Sequence, residues 1–482
     1  MSRLQRLLPP LLCVVLCLVT VGVIVVNREF VKIKIGPFYL LEVLAAICGM
    51  LVILMGKKAI PRRAIIRQLL PAIAYALYGL VLLQIYFLRS PVSLSMVPMA
   101  RILQHSILFV YPLEWMTIGY YAYALDAQKA PWIAYCSLIN AWPSVLGHST
   151  PNISVGPILV IPFMLLLYQF IIDGGSESIW KCLLIGLLGV FTFYPFWVMS
   201  LDTFQRTSLL ILVFNIMAVP WFLSRGSGLI WNPIKTSAIA LLIFIVGSGA
   251  FVGAHLAPKL NLRKFHARVS SNQSSSAPSY PAPLQQKQSA SPPAASTSVP
   301  KPKVMSPTIS VKKKITYLVA KPFSHGEDGL QDGHLVPQMA VRRFFWHSAL
   351  VQWHEHPVVG IGFIPEVPEY VSPSRKNTGG FVAGNTPAIS GPHNSYLSIL
   401  TRTGVIGLVL FAWLMIEWAL QAMTLFPSRT FPLLDLLLLL VPANGAIHAF
   451  FNVGFESPHN CILMWLLGGL ALARAQSLSR EH

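Results

Sequence analysis

Residues 7–26, LLPPLLCVVLCLVTVGVIVV, contain no charged side chain. A helix of this length crosses a hydrocarbon layer of about 30 Å. The run follows Met1–Arg6 and resembles a signal peptide, but it lacks a convincing small-x-small cleavage site and further apolar runs follow it. We therefore predict an uncleaved first transmembrane helix.

The composition extends this prediction to the whole chain. Of 482 residues, 54% are apolar and 11% charged, and the mean hydropathy is +0.61. These values are typical of a bilayer protein and exclude a soluble enzyme with one anchor.

The six cysteines lie in or beside apolar runs, so we expect no disulfides. We predict an all-α polytopic membrane protein of about twelve spans, located approximately at 8–26, 37–56, 69–88, 100–124, 131–147, 154–172, 180–199, 206–223, 235–256, 393–418, 432–450 and 458–474.

Basic residues predict the orientation of these spans. With the N-terminus inside, the cytoplasmic loops receive most of the lysines and arginines, whereas the short outer loops hold chiefly Arg28, Lys32, Lys34, Arg89 and Arg206. This is the bias of the positive-inside rule. We therefore expect a multi-pass membrane protein in which residues 257–392 form a large non-cytoplasmic loop containing short helices.

The loop separates spans one to nine, in 1–256, from spans ten to twelve and a cytoplasmic tail, in 393–482. Within it, Ser, Pro, Ala, Gln and Lys dominate residues 266–310, which predicts a disordered basic linker. This linker is either a solvated tether or a segment attracted to anionic lipid phosphates. Residues 335–356 have apolar side chains at helical spacing and stop at Pro357, which predicts an amphipathic helix near the membrane surface.

The first polar motif is His393-Asn394-Ser395-Tyr396-Leu397, followed by Thr403-Gly404-Val405-Ile406-Gly407. It lies at the outer mouth of the predicted tenth span. The positive end of a helix dipole disfavours an imidazolium there, and a neutral imidazole can accept a proton as a general base must. The alternative is an interfacial histidine that only bonds to the loop.

Arginines form the second set of candidates. Arg342 and Arg343 lie on the amphipathic helix and Arg206 at the edge of the eighth span; their planar donor groups suit phosphate oxygens. Their alternative role is contact with lipid headgroups. Arg402, about three turns below His393 on a continuous helix, needs a cavity or an acidic partner, for which the candidates are Glu114, Glu417 and Glu456.

Metal and cofactor chemistry are not expected. His347, His354 and His356 invite a metal site, but no carboxylate or cysteine ligands accompany them at recognised spacing. The sequence also has no Walker A motif, no dinucleotide-binding glycine fingerprint, no nucleophile elbow and no zinc protease signature. We predict no cofactor.

Taken together, the motifs resemble one known group of membrane proteins. Four motifs carry the resemblance: Arg342-x-x-x-Trp346, Glu355-His356-Pro357-x-x-Gly360-x-Gly362, His393-Asn394-x-x-Leu397 and Thr403-Gly404-x-x-Gly407. Together with the long outer loop and Gln205-Arg206, they resemble the O-antigen ligase and polymerase superfamily over residues 200–420. The resemblance implies a GT-C-like membrane fold in a Gram-negative inner membrane, with the loop and the active site on the periplasmic side. It implies a glycan donor carried on undecaprenyl diphosphate. It also implies that His393 is the catalytic histidine, that Arg206 with Arg342 or Arg343 binds the diphosphate, and that Asn394, Tyr396, Arg402 and Glu456 support them. Arg402, where an acidic or polar residue is more usual, and the linker depart from the common pattern.

The expected activity is that of an O-antigen ligase in lipopolysaccharide biosynthesis, a membrane glycosyltransferase. Its partners would be the lipid-linked O-antigen, a lipid A-core acceptor and phospholipid, with no nucleic acid. An O-antigen polymerase or a protein O-oligosaccharyltransferase would use similar parts. A transporter is the alternative from another class, but no internal repeat is evident and the polar motifs lie at the outer face rather than the bilayer midplane.

Overall fold

Helices make up nearly all of the structure that a computed structural model describes. The described residues are 3–25, 33–35, 38–59, 62–89, 96–140, 156–173, 179–202, 206–224, 231–247, 338–362, 394–425, 432–452, 454–455 and 458–481. All of them belong to one compact unit, formed by Met1–Val252, Gln338–Val371 and Gly380–His482. The second unit, Gly253–Pro337 with Ser372–Gly379, lies outside the described residues, as does the predicted linker.

The helices are numbered here in chain order. They are α1 Arg3–Val25, α2 Leu40–Ala59, α3 Arg62–Arg89, α4 Met96–Leu125, α5 Pro131–Cys136, α6 Val160–Ile172, α7 Ile179–Asp202, α8 Arg206–Ser224, α9 Trp231–Gly247, α10 Gln338–Glu355, α11 Ser395–Ala422, α12 Pro432–Phe451 and α13 Pro458–Glu481. Short 3₁₀ turns cover Ser137–Asn140, Gly156–Leu159 and Met423–Leu425. A two-residue antiparallel ribbon, β1 Lys34–Ile35 and β2 Phe38–Tyr39, precedes α2.

Apolar helices confirm the prediction of an all-helical, multi-pass membrane protein. Among the described residues, six stretches are long and apolar enough to cross a bilayer: Leu7–Ile24, Ile65–Ile85, Thr207–Ser224, Ser395–Leu425, Pro432–Phe451 and Cys461–Arg480. Four shorter apolar helices accompany them: Leu40–Val52, Val160–Ile172, Ile179–Phe193 and Trp231–Gly247. The number of twelve spans and the GT-C-like arrangement stay predictions.

The predicted fifth span, 131–147, differs from the structure in its described part. There α5 is six residues long and passes into a 3₁₀ turn that ends at Asn140. Pro143 follows soon after in the sequence, and a proline disfavours helical backbone in the residue before it. The prediction of one continuous helix from residue 131, made from apolar composition, is therefore wrong in the described part.

The last helix is the most enclosed of the six spanning stretches. In Cys461–Arg480 83% of the residues are buried, against 39% in Leu7–Ile24. It packs closely on α4, because Gly119 of α4 lies against the Leu466 carbonyl and Gly469 of α13 against the Met116 carbonyl, and a Cβ at either glycine would overlap those atoms. Small residues permit such close approach between membrane helices.

A buried ion pair joins three helices at one end of the bundle. Arg474 Nε of α13 lies 2.9 Å from Asp435 Oδ1 of α12, and Arg474 Nη1 donates to the Tyr123 hydroxyl of α4 at 3.0 Å. The side chains of Arg474 and Asp435 are 9% and 4% exposed. The contact places the end of α4, the start of α12 and the end of α13 together, and we call this the ion-pair end.

Removing one partner of this pair is expected to destabilise the bundle more than removing both. Asp435→Leu or Arg474→Met alone leaves a buried charge without its counter-ion, which costs about 3–5 kcal/mol, whereas replacing both with apolar residues is often neutral. Thermal unfolding of the purified single and double variants measures this. If the double variant lost as much stability as the two single variants added together, the coupling between Arg474 and Asp435 would be contradicted.

Candidate functional site

The opposite end of the bundle holds most of the sequence motifs. There Asn452, just after α12, contacts two other elements: its Nδ2 donates to Thr207 Oγ1 of α8 at 3.4 Å, and its carbonyl accepts from Ser395 Oγ of α11 at 3.2 Å. The Phe455 amide in turn donates to Ser395 Oγ at 3.1 Å. The start of α8, the start of α11 and the end of α12 therefore meet here, and we call this the motif end.

Asn394 begins α11 as its N-cap. Its backbone is extended, with φ −151° and ψ 106°, and its Oδ1 accepts from the Leu397 amide at 3.1 Å. An asparagine is among the best residues for this position because its side chain satisfies a backbone N–H that the helix leaves unpaired. The His393-Asn394-x-x-Leu397 motif thus contains a cap and the residue it caps.

Tyr396 anchors this first turn among aromatic rings. Its hydroxyl donates to the Ala446 carbonyl of α12 at 3.0 Å, and its ring centroid lies 5.4 Å from that of Phe455 and 5.9 Å from that of Phe411. On a straight helix, Tyr396 and Phe411 would be about 22 Å apart. The helix α11 must therefore bend sharply between them.

The bend is at Gly404. Its φ of 65° and ψ of −166° are non-helical and lie in a region that essentially only glycine occupies. It divides α11 into a short helix, residues 395–403, and a long helix, residues 405–422. The long helix alone measures about 27 Å, close to the thickness of a hydrocarbon core. Arg402 therefore lies at the end of the short helix and not three turns down a continuous span, as the sequence led us to expect.

A loop from another part of the chain fills the break. We call residues 357–362, which directly follow α10, the docking loop. A helix would pair the amides of Val405 and Ile406 with the carbonyls of Thr401 and Arg402. Instead, the two amides donate to Pro357 and Val358 at 2.9 and 3.3 Å.

The two carbonyls are also satisfied by the docking loop. Thr401 O accepts from the Ile361 amide and Arg402 O from the Gly362 amide, both at 2.9 Å. The Thr403 carbonyl accepts from the Tyr78 hydroxyl of α3 at 2.9 Å. The break thus leaves none of these backbone groups unpaired, as burial in an apolar medium requires.

Two glycines shape the docking loop. Gly360 and Gly362 have φ values of 72° and 73°, which favour glycine because it lacks a Cβ. A Cβ on Gly360 would overlap the backbone of Arg402 and Thr403, and one on Gly404 would overlap the Val358 carbonyl. A Cβ on Gly362 would meet nothing within 4 Å.

The helix α10 lies against the short helix. Thr401 Oγ1 is 3.2 Å from the Ala349 carbonyl of α10, and Ala349 is buried there. Arg402 is also buried, at 8% exposure. Among its candidate partners, Glu417 accepts a hydrogen bond from Gln421 at 2.6 Å and lies about 20 Å along the long helix from Gly404. This length of helix separates the Glu417 carboxylate from Arg402 by too great a distance for a direct ion pair.

The remaining predicted site residues are only partly described. Arg206 is the first residue of α8, and Arg342 and Arg343 lie in α10, but their side chains lie outside the described part. His393 and Glu456 also lie outside the described residues. His347, His354 and His356 are exposed, and no group of three or more His, Cys, Asp or Glu within the described ranges is arranged to hold a metal ion.

A family model described as O-antigen ligase matches residues 162–412, more than half of the chain. The chain belongs to the O-antigen ligase family. This confirms the family that the sequence motifs suggested. A comparison of this O-antigen ligase family chain with curated proteins gives no match. The matched region contains the start of α8, α10, the docking loop and the break at Gly404, whereas Glu456 lies beyond it.

Sequence reasoning found the glycine motifs of this family member but missed what they do. It treated Thr403-Gly404-x-x-Gly407 as part of a continuous span and Pro357-x-x-Gly360-x-Gly362 as a turn. The structure joins the two motifs in one contact and adds Tyr78 and Ala349, which the sequence did not single out. A glycine within a span was the available signal, but glycine is common in membrane helices.

Proposed function

We propose that this membrane enzyme of the O-antigen ligase family transfers a glycan from undecaprenyl diphosphate to the outer core sugar of lipid A-core. The observation that carries the proposal is the contact of Asn452 with both Thr207 and Ser395. Thr207 follows Arg206, and Ser395 lies two residues after His393. Two candidate residues that are far apart in sequence are thus attached to elements that meet at one end of the bundle.

The distribution of basic residues supports a periplasmic position for the motif end. The ion-pair end includes Lys129, beside the end of α4, and Arg480, near the end of α13. Arg62 and Arg63 begin α3, which is joined to α4 by a short connection and is therefore its antiparallel neighbour. A concentration of lysine and arginine is typical of the cytoplasmic side, which supports the proposal that the motif end faces the periplasm of a Gram-negative inner membrane.

In the proposed mechanism, His393 takes the proton from the acceptor hydroxyl as that oxygen attacks the anomeric carbon of the donor sugar. The bond from this carbon to the diphosphate oxygen breaks, and the configuration inverts in a single displacement. Negative charge grows on the departing diphosphate, and guanidinium groups fixed nearby stabilise it more in the transition state than in the ground state. Arg206, Arg342 and Arg343 are proposed for this task, with Asn394, Tyr396, Arg402 and Glu456 in support.

A null strain and the purified protein together test the function. Carrier-linked polymer that accumulates beside bare lipid A-core on lipopolysaccharide gels is the expected result for a ligase. Core bearing single repeat units would indicate a polymerase, and normal lipopolysaccharide with lost protein glycosylation would indicate a protein transferase. Transfer by purified protein in detergent, with no sealed compartment, distinguishes an enzyme from a transporter.

Lysine is not expected to replace the proposed arginines. Arg206→Lys and Arg342→Lys keep the charge but lose the planar pair of donors that matches a phosphate, so the transfer rate of each is expected to fall. Arg480→Lys, at the ion-pair end, is the matched control and is expected to transfer normally. Wild-type rates in both Arg206→Lys and Arg342→Lys would remove these residues from diphosphate binding.

Transfer is expected to continue in a strong chelator. A diphosphate is already a good leaving group, and the proposed arginines supply the positive charge that a metal ion would otherwise provide. The measurement is the initial transfer rate of purified protein with and without chelator. Loss of activity that one added divalent cation reverses would overturn the metal-free mechanism.

A further inference from the structure

The docking loop connects two elements that carry different parts of the proposed site. It follows α10, which contains Arg342 and Arg343, and it fills the break at the end of the short helix, whose N-cap follows His393. Among the described elements, α11 is the main packing partner of α10. The position of α10 relative to the short helix therefore depends on the docking loop and on the nearby Thr401–Ala349 contact.

We infer that the docking loop is a positioning element for the transfer reaction, and this rests on the proposed function. Two residues are central to this role: Gly360 in the docking loop and Thr401 on the short helix. Gly360 lets the loop backbone lie directly against the backbone of Arg402 and Thr403. The Thr401 hydroxyl lies within hydrogen-bond distance of the α10 carbonyl at Ala349.

Backbone hydrogen bonds join these elements, which are separated in sequence by residues 363–393. The four bonds between residues 357–362 and residues 401–406 fix one register of the docking loop on the broken helix. A shift of about 1 Å between binding groups and reacting atoms can lower a rate about 100-fold.

Gly360 and Gly362 form a matched pair for the first test. Both have φ near +72°, so alanine brings the same backbone strain at either position. Only at Gly360 would the new Cβ overlap the broken helix. We expect Gly360→Ala to lower kcat about 10- to 100-fold, with a smaller rise in KM for the lipid-linked donor, and Gly362→Ala to stay close to the wild type.

Thr401 and Thr403 form a second pair that changes little volume. Thr401 Oγ1 contacts the Ala349 carbonyl of α10 at 3.2 Å as well as the Leu397 carbonyl of its own helix at 2.8 Å. Thr403 Oγ1 bonds to the Ile399 carbonyl of its own helix at 2.6 Å. We expect Thr401→Val to lower kcat at an unchanged melting temperature, and Thr403→Val to leave kcat close to the wild type. This pair remains informative if Gly360→Ala does not accumulate.

A distance measurement tests the positioning without any transfer assay. Spin labels at His347→Cys on α10 and Val409→Cys on the long helix occupy exposed positions. In this chain Ser replaces the exposed Cys182 and the half-buried Cys17 and Cys136. We expect one narrow distance distribution in the parent and in Gly362→Ala, and a broadened or shifted one in Gly360→Ala.

Equal kinetics and equal distances in Gly360→Ala and Gly362→Ala would overturn the inference, as would wild-type kcat in Thr401→Val. A wild-type protein that transfers no glycan would instead count against the proposed function. In that case the spin-label distances still decide whether the docking loop positions α10.

Discussion

Replacing His393 with alanine is expected to lower the transfer rate by about 10² to 10⁴-fold, the usual contribution of a positioned general base. The acceptor hydroxyl would have to lose its proton without help while it attacks the donor sugar. The leaving diphosphate would still be stabilised by the arginines, so a residual rate is expected rather than none. The measurement is the initial rate of transfer to lipid A-core by purified protein.

Two control substitutions separate catalysis from folding in this test. Asn394→Ser keeps a good N-cap and is expected to transfer at close to the wild-type rate, because the short helix still begins at the same residue. His347→Ala removes an exposed histidine of α10 and should have little effect. A His393→Ala protein with full activity would exclude His393 as the general base.

Gly404→Ala is expected to have the largest effect on folding. Its backbone conformation, φ 65° and ψ −166°, costs a residue with a Cβ about 1–3 kcal/mol. The Cβ would also overlap the Val358 carbonyl and displace the docking loop. Each backbone group of the break that then lost its partner would cost about 1–3 kcal/mol more. These losses compare with a total stability of about 5–15 kcal/mol for a typical domain.

The measurement is the amount and thermal stability of monodisperse protein extracted from the membrane. Gly186→Ala is the matched control, since Gly186 also lies in an apolar helix but its Cβ would meet nothing within 4 Å. Alanine there is expected to be neutral or to stabilise by up to about 1 kcal/mol. A Gly404→Ala protein as stable as Gly186→Ala would mean that the break at Gly404 is not a fixed feature of the fold.

The sequence predicted the apolar helices well because each depends on a local property. Residues 7–26 carry no charge and residues 432–450 carry only Asp435, so length and a strongly apolar composition are enough to indicate a span. The structure has α1 and α12 at these positions. An apolar helix is present at the predicted span 393–418, but it is broken at Gly404 for a non-local reason. That break is stable because residues 357–362, far away in sequence, supply the missing hydrogen bonds.

For the candidate site, the sequence indicated which residues matter but not what each one does. The motifs pointed to Asn394, Tyr396 and Arg402, but composition cannot distinguish a cap, an aromatic anchor or a buried guanidinium from a group that contacts substrate. The structure gives Asn394 and Tyr396 clear positioning contacts. The roles of His393, Arg206, Arg342 and Arg343 stay predictions, since they depend on side chains outside the described part.

The enclosed position of α13 has a consequence for biosynthesis. Helices enter the membrane in the order of translation, so α4 and α12 are made before the segment that packs on both of them. Until α13 has entered the membrane, Asp435 cannot pair with Arg474, and Gly119 of α4 cannot pack against the Leu466 carbonyl. A nascent chain that terminates before residue 458 therefore lacks its centre, and quality-control proteases would meet an open assembly rather than a slightly shortened enzyme.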